Sequence, residues 1–186
     1  MTTPRRLKRF GWLIDVIRAR GYNIGAEIGG HKGNTTAKVL SGCPNLKLIV
    51  VDKWEDIVPD PHGEKIGCEE DNMEEIKSIF DKRTHSFKDR LTVLRGDSVE
   101  MASKVEDNSL DFVFIDADHR YESVKADIRA WVPKLRPGGM LSGHDIDYPS
   151  VLRAVSELVP NFKDVGVNVV WEAKKEDYVD RSEDTV

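Results

Sequence analysis

The sequence lacks the cysteines that a disulfide framework or a zinc site would need. Its two cysteines, Cys43 and Cys68, lie far apart and have no clustered histidine beside them. Long hydrophobic runs are also missing, because no apolar stretch approaches the roughly 20 residues that cross a bilayer. The basic start MTTPRRLKRFGW is followed by a segment broken by Asp15, Arg18 and Arg20, unlike a secretory signal. We therefore expect a soluble, cytoplasmic protein with reduced thiols and no membrane partner.

The chain has no excess of positive charge either. Lys and Arg number 28 against 33 Asp and Glu, which gives a formal charge of −5 and argues against a broad nucleic-acid footprint. A hydrophobic fraction of 39% with 33% charged residues is typical of a globular protein. A length of 186 residues suits one domain with a substantial core.

Strand-like runs alternate with helical patterns along the chain. Strands are predicted at IGAEIGG, LKLIVVD (46–52), LTVLRGD (91–97), LDFVFID (110–116), MLSGHDID and VGVNVVWEA (165–173), the three runs that end in Asp being typical of strands buried on both faces. Helices are predicted over 4–20, NTTAKVLS, 69–82, 99–105, 121–135 and 148–159, and the RPGG segment (136–139) predicts a turn. This alternation implies parallel pairing through right-handed crossovers. The predicted fold class is therefore α/β, an open, mostly parallel sheet with helices on both faces.

The predicted organisation has three parts. Residues 1–20 form an N-terminal amphipathic helix that flanks the domain, 21–173 form the domain, and 174–186 form a polar, mobile tail. Residues 53–68 are expected to be a surface loop that could close over a site. The apolar face of the first helix has two possible uses, covering the sheet of its own chain or forming a homodimer.

Every predicted strand up to the fifth ends in or near an acid. These acids are Glu27, Asp52, Asp97, Asp116 and Asp145. Ligands of open parallel sheets bind at the carboxyl ends of the strands, where these side chains would meet. So many carboxylates at one edge favour a cation or a ligand rich in hydrogen-bond donors.

The turn after the first strand has the spacing E-x-G-x-x-x-G. The dinucleotide fingerprint G-x-G-x-x-G fails here, because His31 and Asn34 stand where its second and third glycines belong. Gly29 and Gly33 would let the backbone approach a ligand closely, and the following helix would offer N–H groups to a carboxylate, while Glu27 suits an amine.

The second strand ends in a carboxylate that suits a ribose. Asp52 comes 19 positions after Gly33, about where an acid should accept the two ribose hydroxyls, and it would repel a 2′-phosphate.

The motifs AEIGGHKGNTT, VVDKW, RGDS, FIDADHRYESVKADIRAW, LRPGG and GHD, in this order, resemble the class I S-adenosylmethionine-dependent methyltransferases. More narrowly they resemble the small-molecule O-methyltransferase-like group called methyltransferase family 24, over roughly residues 8–172. The resemblance implies a Rossmann-like fold, S-adenosylmethionine as cofactor and a small-molecule hydroxyl as acceptor. The sequence departs from many members of the superfamily in two ways. His31 stands where they have a glycine, and one final strand is expected where they have a hairpin.

Carried over position by position, the resemblance implies that Glu27, Gly29 and Gly33 cradle the methionine part of the cofactor. Asp52 would hold the ribose, and Asp97 with Ser98 would lie beside the adenine. The cofactor-binding residues it implies are Glu27, Gly29, Gly30, Gly33, Asn34, Asp52, Lys53, Asp97, Ser98 and Asp116.

The same resemblance places Asp116 and Asp145 on neighbouring strand ends, where related O-methyltransferases bind a divalent metal. Mg²⁺ would lower the pKa of a coordinated hydroxyl. His144 stands where relatives often have an acid and favours Mn²⁺, Fe²⁺ or no metal. His119 is a candidate general base, or it caps a helix or orients Asp116. The predicted catalytic residues are Asp116, His119 and His144, and the predicted metal ligands are Asp116, Asp145 and His144.

Two other functions stay open. One is a binding or regulatory protein that keeps the fold and the cofactor without turnover, and the other is an NAD-dependent oxidoreductase, which the glycine spacing disfavours. Nucleic-acid methylation is not expected, because the D/N-P-P-Y/F motif of amino-methylating enzymes is missing.

Overall fold

Strands and helices alternate along the chain in a computed structural model that describes residues 8–55 and 72–180. The elements are α1 (Arg9–Arg20), β1 (Ile24–Ile28), α2 (Asn34–Gly42), β2 (Lys47–Asp52), α3 (Met73–Thr84), β3 (Leu91–Arg95), α4 (Ser98–Ala102), β4 (Leu110–Ile115), α5 (Tyr121–Trp131), β5 (Leu135–Gly143), α6 (Pro149–Leu158), β6 (Lys163–Asp164) and β7 (Trp171–Lys174). The sheet order is β3-β2-β1-β4-β5-β7-β6. Pairs among β1 to β5 are parallel, and β7 runs antiparallel to β5 and β6. The α/β prediction is confirmed.

Two apolar layers cover the sheet, and alternate residues of β4 point into each. Phe112 and Phe114 pack with α1, α2 and α3, whereas Val113 and Ile115 pack with α4, α5 and α6. All six residues of β4 are buried, as expected for a strand in which every residue except Asp111 is apolar. The apolar side of α1, namely Trp12, Leu13 and Ile17, is buried in the core of its own chain.

Backbone hydrogen bonds continue past the carboxyl ends of the strands and align the acids. Gly29 donates to Val51 at 2.8 Å, Asp116 donates to the carbonyl of Ile28 at 2.7 Å, and His144 donates to Ile115 at 3.0 Å. The ends of β2, β1, β4 and β5 therefore lie side by side at one edge, which positions their polar side chains around a common space.

Three predictions about individual strands are wrong in detail. β3 is an edge strand, so its residues are largely exposed instead of buried on both faces. The RPGG segment (136–139) lies within β5 as a bulge opposite Asp111, whose carboxylate binds Arg136 and the backbone N–H of Asn23. The run 165–173 is not one strand, because positive φ angles at Gly166, Asn168 and Val169 turn it into a hairpin between β6 and β7.

Residues 174–180 do not form the mobile tail that the sequence predicted. Lys174 belongs to β7, Lys175 Nζ donates to Asn108 at 2.6 Å, and Glu176 accepts from Gly138 N at 2.6 Å. Residues 181–186 lie outside the described residues, as do residues 1–7 and residues 56–71, which hold Cys68 and most of the predicted loop. Among the helices that the structure describes, none combines the length and apolarity needed to span a membrane.

Candidate active site

A cavity of about 660 Å³ opens at the carboxyl ends of β1, β2, β4 and β5. Its lining includes nearly every residue that the sequence singled out: Glu27, Gly29, Gly30, Asn34, Asp52, Lys53, Asp97, Ser98, Asp116, His119, His144 and Asp145. Gly33 is different, because it faces the Phe80 side chain instead of the cavity. The volume falls within the range of small-molecule sites.

The turn after β1 presses directly against the end of β4. A Cβ on Gly29 would lie 2.1 Å from the carbonyl oxygen of Asp116, and Gly29 has a φ of 97°, so both space and conformation require glycine. The sequence attributed this glycine to ligand approach, whereas here its neighbour is the protein's own backbone. No side chain caps the first turn of α2, and Asn34 and Thr35 of that turn line the cavity. The N–H groups of an uncapped helix start suit an anion.

Asp52 fastens two strained turns at the wall formed by β2. Its Oδ2 accepts from the N–H of His31 at 2.8 Å and its Oδ1 accepts from the N–H of Trp54 at 2.9 Å. Both donors have left-handed backbones, with φ of 43° and 44°. The buried Trp54 indole also donates to the His31 carbonyl at 2.9 Å. Each carboxylate oxygen of Asp52 retains a lone pair for a hydroxyl of a ligand.

A second carboxylate group lies beyond β3. Asp97 begins α4 by accepting from the N–H of Val99 at 3.0 Å, and it pairs with Lys53 Nζ at 2.7 Å. The ammonium of Lys53 lowers the pKa of Asp97, and Asp97 raises the pKa of Lys53. Ser98 donates to the buried carboxyl of Asp127. Burial raises the pKa of Asp127 to about 7 although Ser98 opposes it, so this carboxyl can hold a proton near neutral pH.

Glu27 is a buried acid in the floor of the cavity. It is 3% exposed and accepts a hydrogen bond of 2.6 Å from Thr36 Oγ1. Burial raises its pKa to about 8, the Thr36 hydroxyl opposes this, and the charge of Asp116 adds to it. Glu27 is therefore mostly neutral at pH 7 until a cation approaches it.

The far end of the cavity holds two carboxylates and two histidines. His144 Nδ1 lies 2.9 Å from Asp145 Oδ2 and 3.4 Å from Asp116 Oδ1, and His119 Nε2 lies 2.9 Å from the same oxygen of Asp145. The His119 ring packs against Tyr148 with centroids 4.6 Å apart. Asp145 has a φ of 57°, which turns its carboxylate back toward both rings.

The charges in this cluster stabilise one another. Burial disfavours the charged form of His144, but Asp116 and Asp145 outweigh it and raise the pKa to about 9. Burial also opposes ionisation of Asp145, yet His119 and His144 hold its pKa well below the usual range. Within the part of the chain that the structure describes, His119 Nδ1 and His144 Nε2 are buried without a hydrogen-bond partner. Each of these nitrogens can form a hydrogen bond with a group that enters the cavity.

The polar cavity residues that escaped the sequence analysis include Arg9, Thr35 and Asp127. Asp127 left a signal, because it shares the apolar face of α5 with Val124 and Trp131, where an acid is unusual. Arg9 left none, since an arginine in a basic terminal helix is ordinary. The role of Asp118 is local, because it accepts from Arg120 N at 2.9 Å and from Ser123 Oγ at 3.0 Å at the start of α5.

This sheet order, with its closing antiparallel pair and a cavity at the ends of the parallel strands, defines the class I methyltransferase fold. Residues 26–146, more than half of the chain, match the model of methyltransferase family 24, described as a methyltransferase domain. The chain belongs to this family.

One curated protein is similar to this chain in sequence. The uncharacterized protein y4gI of Sinorhizobium fredii (strain NBRC 101917 / NGR234) is 29% identical over 140 residues, which are 73% of this chain and 14% of that protein. The chain thus spans only a small part of this curated relative.

Solved structures with low sequence identity share the fold. A Staphylococcus aureus protein proposed to be a caffeoyl-CoA O-methyltransferase is 15% identical, with a TM-score of 0.65 over 89% of this chain and 82% of that one. Cofactor-bound Rv0187 from MTB is 18% identical, with a TM-score of 0.65 over 93% and 83%. CalS11, a TDP-rhamnose 3'-O-methyltransferase of calicheamicin biosynthesis, is 16% identical, with a TM-score of 0.60 over 90% and 81%.

Proposed function

We propose that the protein is an S-adenosylmethionine-dependent methyltransferase that methylates a hydroxyl group of a small molecule. The observation that supports this most strongly is a single cavity that joins Asp52 and Asp97, at the β2 and β3 ends, to the cluster of Asp116, His119 and Asp145. Asp52 and Asp97 suit a nucleoside, and the cluster at the other end suits proton transfer.

The residues of the cavity fit the parts of the proposed cofactor. Asp52 keeps lone pairs for the ribose hydroxyls, and the uncapped start of α2 suits the amino-acid carboxylate. The ammonium group would lie near Glu27, which could then release its proton. When bound, the cofactor supplies a methyl group made electrophilic by its sulfonium.

His119 is the side chain best arranged to accept the proton of an acceptor hydroxyl. Its Nε2 lies 2.9 Å from the Asp145 carboxylate, which fixes that nitrogen as the donor and leaves Nδ1 as the basic atom. Nδ1 has no partner among the described residues. Asp145 orients the ring and stabilises the imidazolium that forms, in the manner of the acid in a catalytic triad.

The second part of the proposal is a divalent metal held by Asp116, His144 and Asp145. Their ligand atoms all lie within 4.8 Å of one another. His144 Nδ1 lies 2.9 Å from Asp145 Oδ2, and a metal bound by both would have to displace the proton that the carboxylates hold on His144. A nitrogen beside two carboxylates favours Mn²⁺ or Fe²⁺ over Mg²⁺. A metal here would lower the pKa of a bound hydroxyl.

The cofactor is tested by calorimetric titration with S-adenosylhomocysteine. Wild-type protein should bind it, and Asp52→Ala should bind about 100-fold more weakly, because two hydrogen bonds to a charged group are lost. The control Asp107→Ala removes an exposed carboxylate paired with Lys134, outside the cavity, and should bind normally. Circular dichroism checks that both variants fold. Binding of NAD in place of S-adenosylhomocysteine would instead support an oxidoreductase.

The metal is tested by the unfolding temperature of EDTA-treated protein. Mn²⁺ at about 100 times its dissociation constant should raise this temperature by about 5–10 °C, because only the folded site binds it. Asp145→Asn should abolish the shift, whereas Asp118→Asn, in the same region but outside the triad, should keep it. No shift with Mn²⁺, Fe²⁺ or Mg²⁺, together with full methyl transfer in EDTA, would contradict a metal role.

A cofactor-binding protein without turnover remains the second candidate. The buried Nδ1 of His119, with no partner among the described residues and with Asp145 orienting the ring, supports proton transfer over binding alone. A screen of small-molecule hydroxyl acceptors decides between the two, because cofactor that binds but is never consumed would favour the regulatory protein.

A further inference from the structure

Arg9, the first residue of α1, reaches into the cavity from outside the matched methyltransferase domain. Its Nε lies 3.1 Å from Asp116 Oδ2 and 3.2 Å from Thr35 Oγ1, at the start of α2. One guanidinium atom thus bridges the end of β4 and the first turn of α2. In the proposed complex, the start of α2 would lie near the amino-acid part of the cofactor, and the end of β4 would lie near its reactive methyl group.

The position of Arg9 is fixed by the packing of its helix. Its backbone N–H donates to Asn168 Oδ1 at 3.3 Å, which ties the start of α1 to the turn between β6 and β7. Farther along, Trp12 and Leu13 are buried in the core, and Arg18 Nε donates to the carbonyl of Gly42 at 2.9 Å. The Arg9 side chain is one-third exposed, so part of it faces the open cavity.

The outer half of the guanidinium has spare donors. Nη1 and Nη2 of Arg9 have no hydrogen-bond partner within residues 8–55 and 72–180. These two nitrogens form the planar fork that matches a carboxylate. The nearby Asp116 carboxylate, 3.1 Å from Arg9 Nε, would repel a ligand carboxylate, so a cation is needed on this side.

We propose that Arg9 binds the amino-acid carboxylate of the cofactor, so that α1 completes the cofactor site. This inference rests on the proposed function. Arg9 and the N–H groups at the start of α2 together bind the carboxylate, while Glu27 and Asp116 attract the ammonium beside it. A ligand with both charges is thereby distinguished from the bare nucleoside.

Two ligands that differ in the amino-acid part test this role by calorimetry. S-Adenosylhomocysteine carries the carboxylate, and 5′-methylthioadenosine keeps the nucleoside and the sulfur but lacks it. Arg9→Gln should weaken S-adenosylhomocysteine about 10–100-fold and change 5′-methylthioadenosine less than about 2-fold. Arg9→Lys should recover part of the loss, because charge returns without the fork. Arg20→Gln is on the same helix as Arg9 and breaks a pair with Glu172 of β7, outside the cavity, so it should affect neither ligand.

The opposite results are equally specific. If Arg9→Gln lowers the affinity for both ligands equally, the helix has shifted. If it changes neither affinity, Arg9 does not contact the ligand. Either result overturns the inference. Recovery of S-adenosylhomocysteine binding by adding Asp116→Asn to Arg9→Gln would mean that Arg9 only neutralises Asp116, which also overturns it. If wild-type protein binds neither ligand, the proposed function fails first and the inference falls with it.

Discussion

Replacing Gly29 with alanine should displace the turn after β1 from the cavity wall and cost more than about 3 kcal/mol of stability. The added Cβ would lie 2.1 Å from the Asp116 carbonyl oxygen, 2.6 Å from its carbonyl carbon and 2.9 Å from Ala117 Cα. All three are backbone atoms, so no side chain can move aside to make room. The turn after β1 would have to leave β4, and S-adenosylhomocysteine binding should be lost with it.

Urea unfolding followed by tryptophan fluorescence measures this cost. Gly21→Ala is the matched control, because Gly21 has a φ of 65° at the end of α1 and nothing within 4 Å of an added Cβ. It tests conformational strain alone and should cost about 1 kcal/mol. If the two variants lose equal stability, the close packing of Gly29 on Asp116 is wrong.

The buried elements of the fold could be predicted from the sequence because burial alone determines their apolar composition. Apart from Asp111, LDFVFI is apolar throughout, since β4 is flanked by strands and covered by helices on both faces. The same pattern led to a wrong prediction of burial for β3, because an apolar run does not reveal that a strand lies at the edge of a sheet. It failed again at 165–173, where β-branched residues predicted a strand and the left-handed backbone at Asn168 and Val169 made a turn.

The site was predictable where it depends on strand ends and not where it depends on packing between distant segments. Acids after parallel strands must meet at one edge, so Asp52, Asp116 and Asp145 could be placed together from their positions alone. Arg9 arrives from a helix that no sheet rule locates. Its contact with Asp116 spans more than 100 residues and exists only because α1 packs on α2.

Glu27→Gln should make the protein less sensitive to alkaline pH. Burial raises the pKa of Glu27 to about 8 from an ordinary value of 4.5. Between these pH values the folded protein holds a proton that the unfolded chain has released, so rising pH favours unfolding by up to about 1.4 kcal/mol per pH unit. Glutamine keeps an oxygen for the Thr36 hydroxyl but cannot ionise. The variant should therefore gain stability over wild type as pH rises from 5 to 8, and the difference should level off above pH 8.

Urea unfolding of both proteins at several pH values checks this prediction. The charged groups that face Glu27, namely Asp116, Asp52 and Arg9, are the same in both proteins, so their contributions to the pH dependence of stability largely cancel in the difference. Parallel stability profiles for the two proteins would contradict a neutral buried carboxyl. The same group links stability to binding, because an ammonium placed beside Glu27 must expel its proton. S-Adenosylhomocysteine should accordingly release close to one more proton on binding to wild-type protein than to Glu27→Gln at pH 7, as measured by calorimetry in buffers of different ionisation enthalpy.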